Sequence, residues 1–181
     1  MRGKGQGAKE KSLQEKDEKA LNEALIDAAR KGDEKLVTYY LSKRANINYQ
    51  SIASGFTPLH WAAYQDHIKI VKLLLTRRAK ITIKSRRGRT LLHDVVNAPF
   101  KSDRNYDLEK TRAIIHLLVD EYGVDVNAVD NSGETPYFYA VVNKIDVLET
   151  LKECGAFTEN REGMKCVPER EGIKSEWCLL Q

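Results

Sequence analysis

The side chains able to do chemistry are sparse in this chain, and their spacing limits what they can do. Cys154, Cys166 and Cys178 form an odd set at even intervals of twelve, all near the C-terminal end. Such a set does not make a disulfide framework, and the C-x-x-C pairs of a zinc site are absent, so no metal is expected. Cys178-Leu179-Leu180-Gln181 has the C-a-a-X form that prenyltransferases read, and Gln at the X position points to a farnesyl group on the Cys178 thiol. The preceding stretch TENREGMKCVPEREGIKSEW is polar, of mixed charge and contains Pro168, as expected of a stalk that leaves Cys178 reachable. One prenyl chain binds a membrane only weakly, so a second signal is needed. Palmitoylation of Cys166 or a basic surface meeting anionic lipid would supply it, and Trp177 suits a bilayer interface.

Catalysis is excluded. The sequence has no Gly-rich phosphate loop, no Ser or Cys in a nucleophile motif, and no carboxylate pair outside its repeated part, so no cofactor is expected either. No apolar run approaches the ~18 residues of a membrane span, and the first residues lack the apolar stretch of a secretory signal. A reducing, cytoplasmic setting follows, or the cytosolic face of a membrane if Cys178 is lipidated.

Charge is better read by position than by sum. Thirty Lys and Arg against 26 Asp and Glu leave a formal +4, too little to announce nucleic acid. RRAKITIKSRRGR (77–89), however, holds Arg77, Arg78, Lys80, Lys84, Arg86, Arg87 and Arg89 and no acidic residue. Arg86, Arg87 and Arg89 are expected at the tip of a turn. An acidic protein segment, a phosphate-bearing partner or an anionic membrane surface would suit them. Nucleic acid fits less well, because base-reading elements and a second basic stripe are missing.

The elements that position these residues come from a repeat. GFTPLHWAAYQDHIKIVKLLLTRRA (55–79) has weaker copies at 23–48, 88–96 with 114–127, and 133–156. With Glu23, Thr57, Thr90 and Thr135 in register the spacings are 34, 33 and 45, and NAPFKSDRNYDLEK accounts for the long third one. Each unit reads as two helices. Thr57 can cap the first and Pro58 fits its opening turn, while Ala62 and Ala63 allow close approach of neighbours. Ile70, Val71, Leu74 and Leu75 make the apolar stripe of the second, repeated by Leu36, Val37, Tyr40 and Leu41 and by Ile114, Ile115, Leu118 and Val119. VNAVDNSGE and ITIKSRRGR read as projecting turns between units.

TPLHWAA followed by HIKIVKLLL resembles the ankyrin repeat over roughly residues 23–158. The resemblance implies an all-α solenoid of about four helix-pair repeats, near 23–55, 56–88, 89–133 and 134–158. A charged, flexible segment (1–20) precedes it and a polar tail (159–181) follows. It also implies a monomer that binds a protein partner through projecting turns and inner helices. The groove-facing positions then hold Trp61, Tyr64 and Gln65, with Phe56 beside the turn and Tyr139 at the equivalent of Trp61. His60 and His93 fall where this family braces its turns, His67 precedes a second helix, and His116 is expected to stand alone on its helix. Arg44 and Arg78 take the place of the usual Gly after the second helix, so each must accept a left-handed backbone or reshape the turn. A short ankyrin array ending in C-a-a-X is also similar to proteins that intracellular bacteria inject into host cells, although no ligase-docking motif precedes the repeats.

Overall fold

The computed structural model describes residues 6–97, 107–143 and 146–157, with side chains from residue 14 onward. Residues 98–106 of the insert at 97–110 and residues 158–181, Cys166 and Cys178 among them, lie outside the described residues. Among the described residues eight α-helices follow one another: α1 (Gln6–Lys31), α2 (Glu34–Ser42), α3 (Pro58–Tyr64), α4 (Ile68–Thr76), α5 (Leu91–Val96), α6 (Leu108–His116), α7 (Pro136–Val142) and α8 (Leu148–Glu153). A π-helical turn, Leu117–Glu121, extends α6. No strand occurs among the described residues, and no helix there is long and apolar enough to cross a membrane.

The order of packing is that of a solenoid. The inner helices α1, α3, α5 and α7 contact one another in sequence, and so do the outer helices α2, α4, α6 and α8. Residues of the expected stripes form the seam: Ile70, Val71, Leu74, Leu75, Ile114, Ile115 and Leu118 are buried, against Leu59, Ala62, Ala63, Leu91 and Leu92 from the inner row. Each buried Leu, Ile or Val side chain there contributes about 1.5–3 kcal/mol by leaving water. Leu36 departs from its stripe and is 41% exposed: among the described residues α2 is the first outer helix, and no earlier outer helix packs against it.

Helix starts are set by local hydrogen bonds. Thr57 caps α3 and Thr90 caps α5, and in both the third helical residue, His60 or His93, reaches back to the cap residue's backbone N–H. These boxes satisfy N–H groups that a helix start leaves without partners. In the fourth unit Thr135 still caps α7 by accepting from the Phe138 N–H, but Phe138 cannot return the bond. Asp33 and Asp107 cap α2 and α6 in the same accepting sense.

Two expectations about the backbone resolve differently. Arg44 and Arg78 do adopt left-handed φ values of 68° and 64°, as Gly123 and Gly155 do at the same place in later units. The first residues depart from expectation: the chain is helical from Gln6, so most of the stretch expected to be flexible continues the first inner helix. Lys, Glu, Gln and Ala are strong helix formers, and extending a helix already nucleated on the core is cheap.

Candidate functional site

Three projecting turns share one hydrogen-bonded design. Ser51 N–H donates to Phe56 O at 2.8 Å, Ser85 N–H to Arg89 O at 3.0 Å, and Asp130 N–H to Glu134 O at 3.0 Å. Phe56, Arg89 and Glu134 therefore occupy equivalent positions, each one residue before the threonine that caps the next inner helix. The turns are also tied side by side. Arg86 N–H donates to Ser54 O, Asn131 N–H to Arg87 O, and Gln50 Nε2 to Lys84 O at 3.1 Å. Gly55 and Gly88 permit this close approach: both have φ above 70°, and a Cβ would meet Arg86 N at 2.7 Å or the Asn131 backbone N at 2.9 Å.

Phe56, Trp61 and Tyr64 meet beneath the second of these turns. Their rings pack edge to face, Phe56–Trp61 at 5.2 Å, Trp61–Tyr64 at 6.0 Å and Phe56–Tyr64 at 6.3 Å between centroids. All three stay partly exposed and line a concavity of about 420 Å³ with Ser54, Arg86 and Arg89. Arg30, at the end of α1, lies over the Trp61 ring at 5.7 Å, a cation–π contact that fixes one wall. The buried Trp61 Nε1 has no hydrogen-bond partner. Ile52, 58% exposed in the neighbouring turn, adds apolar surface close by in sequence.

The basic residues divide. Arg86 and Arg87 stand exposed at the turn tip. Arg89, expected beside them as a free side chain, is only 9% exposed and is committed internally. Its Nη2 donates to Tyr139 Oη at 2.9 Å, its guanidinium lies 4.5 Å from the Tyr139 ring centroid, and its Nε is 3.8 Å from Asp130 Oδ2. Tyr139 Oη in turn donates to Asp130 Oδ2 at 2.9 Å. Burial alone would raise the Asp130 pKa, but this bond and those from the Glu134 and Ser132 N–H groups hold it below the ordinary carboxylate range. Tyr139 thus serves a brace between turns instead of extending the aromatic wall. Gln65, the C-cap of α3, does not line the concavity.

Asp94, which no motif singled out, occupies in α5 the position that Trp61 holds in α3 and Tyr139 in α7. It is fully buried with neither carboxylate oxygen hydrogen-bonded, 4.0 Å from His60 Nε2. Burial pushes its pKa up to about 8 against the opposing pull of Arg89, and burial pushes the His60 pKa down to about 4. Both groups are therefore neutral near pH 7. His93, whose pKa burial also lowers, contacts the Glu134 carbonyl through Nε2 at 2.9 Å and anchors the third turn. His67 Nε2 meets the Arg30 carbonyl at 3.1 Å, holding the end of α1.

Residues 25–75 match the family described as ankyrin repeats (many copies). With the paired helices, the Thr-Pro-Leu-His capping box and the tied turns, that match decides the architecture. The described residues form an ankyrin-like helical solenoid. It is 29% identical over 105 residues to Palmitoyltransferase AKR1 of Lachancea kluyveri, covering 58% of this chain and 13% of that one. It is 33% identical over 95 residues to a putative ankyrin repeat protein of Rickettsia bellii, covering 50% and 47%. It is 29% identical over 144 residues to Neurogenic locus notch homolog protein 1 of Danio rerio, covering 67% and 6%. The chain thus spans less than half the length of each. Ankyrin repeats are characteristically non-catalytic scaffolds for protein–protein interaction.

Proposed function

We propose that this scaffold binds an acidic protein segment, seating an apolar side chain in the Phe56–Trp61–Tyr64 concavity and placing carboxylates against Arg86 and Arg87. The observation that carries the reading is the concavity itself: three partly exposed aromatic rings under a turn whose two free cations have no acidic neighbour in sequence from 77 to 89. Buried aromatic anchors ringed by Arg dominate interface energies, and charge complementarity adds specificity and rate. Arg89 and Tyr139 support this surface by fixing the turns: Arg89 edges the concavity with its guanidinium committed to Tyr139 and Asp130, and Tyr139 does not line it. Selection of displayed peptides on the full chain tests it. Recovered sequences should place an aromatic or large aliphatic residue beside Asp or Glu, and Trp61→Ala should lose them. Enrichment of basic or purely polar sequences would overturn it.

A second reading adds location. Cys178-Leu179-Leu180-Gln181 favours farnesylation, which requires Gln181 to be the chain's last residue and a eukaryotic cytoplasm, a host cell's included. A farnesyl-sized gain in intact mass with farnesyltransferase and farnesyl diphosphate, absent in Cys178→Ser, supports it. An unchanged mass leaves the scaffold without a lipid.

A further inference from the structure

On the outer row, away from the aromatic concavity, three donors of different chemistry converge. His116 ends α6, Asp120 lies one turn later in the π-helical segment, and Cys154 follows α8. His116 Nδ1 is 3.0 Å from Asp120 Oδ2 and 4.0 Å from Cys154 Sγ, and the three ligand atoms all lie within 4.8 Å of one another. His116, expected to be alone on its helix, thus joins a partner 38 residues away.

We propose that His116, Asp120 and Cys154 form a transition-metal site suited to Zn²⁺. Tetrahedral zinc with N, O and S ligands sets its donors about 3.3–3.6 Å apart, given Zn–N and Zn–O near 2.0–2.2 Å and Zn–S near 2.3 Å. The distances from His116 Nδ1 bracket that spacing, so rotation of half-exposed side chains completes the geometry without moving the helices. One thiolate and one imidazole select Zn²⁺ or Co²⁺ over Mg²⁺ or Ca²⁺, which prefer oxygen alone. Charge favours a cation as well. Asp120 and Glu153 both act electrostatically on Cys154, and His116 is the only ion-pair partner of Asp120 among the described residues. Binding replaces the thiol proton with a metal–sulfur bond and releases that proton to solvent, and water takes the fourth position. The metal would clamp the fourth helix pair to the third at an end of the array where both His116 and Asp120 are accessible.

Cobalt titration of the full chain carrying Cys166→Ser and Cys178→Ser, in a phosphine reductant, reads the site directly because Cys154 is then the only thiol. The expected result is a near-ultraviolet thiolate-to-cobalt band that saturates at one equivalent, is bleached by Zn²⁺ and is lost in Cys154→Ser. His116→Asn and Asp120→Asn, at exposed positions that leave helical circular dichroism intact, should each weaken apparent affinity at least tenfold. Zn²⁺ should also raise the melting temperature of the parent and not that of His116→Asn. Absence of the band, or a band unchanged in the His116→Asn/Asp120→Asn double variant, overturns the proposal.

Discussion

Asp94→Asn probes the least expected feature of the interior. Asn reproduces the size and hydrogen-bonding of a protonated Asp but cannot ionise. In the folded chain Asp94 titrates at about 8, against 3.8 for a free side chain, because burial disfavours its charge. Between those values the unfolded chain releases a proton that the folded chain keeps. The Asp94 contribution to stability is therefore complete below about pH 4, falls as pH rises and is fully lost above about 8. Each unit corresponds to about 1.4 kcal/mol, so the ceiling on the loss between pH 5 and 8 is ~4 kcal/mol. His60 works in the opposite sense: its pKa is depressed to about 4, so its contribution is present above 6.5 and lost as pH falls through 4. Subtracting variant from wild type removes this and every other shared titration. Urea unfolding from pH 5 to 8 is the assay. Equal stabilities are expected only near pH 4; the variant should lead by about 2 kcal/mol at pH 5 and by several kcal/mol at pH 8. Parallel curves would mean that Asp94 is ionised in the fold and would refute the reasoning.

Other substitutions test the packing and the turns. Arg78→Gly should raise stability by about 1 kcal/mol in denaturant unfolding, because a side chain at φ 64° is strained and glycine is not. Gly88→Ala should lower it by about 2 kcal/mol or more, combining strain at φ +72° with a Cβ pressed on Asn131. Leu74→Ala, at a fully buried position of α4, should cost about 3 kcal/mol with little change in the denaturant slope.

What could be read in advance follows the range of the interactions. Thr57-Pro58 and the Ile70–Leu75 stripe depend on neighbours within a turn or two, so their pattern showed both helices and their order. Phe56, Trp61 and Tyr64 were legible for the same reason, lying within nine residues of one another. Arg89 looked like one of seven surface cations, and only the fold brings it to Tyr139, 50 residues on. Asp94 carried no signal because acids are common on helices, and its burial arises from units packed on both sides. Cys154 and His116 fit no metal spacing, since one helix pair separates them. The helix over residues 6–20 shows no apolar period in sequence, although its residues' propensities favour one.

Binding of one selected acidic peptide to wild type and to Arg86→Glu/Arg87→Glu, each at low and at physiological salt, would decide whether the turn and the aromatic concavity act together. A groove built for acidic segments gives tight binding that weakens with salt, and a loss of tenfold or more on charge reversal. Equal affinity for the two proteins at both salt concentrations would contradict it.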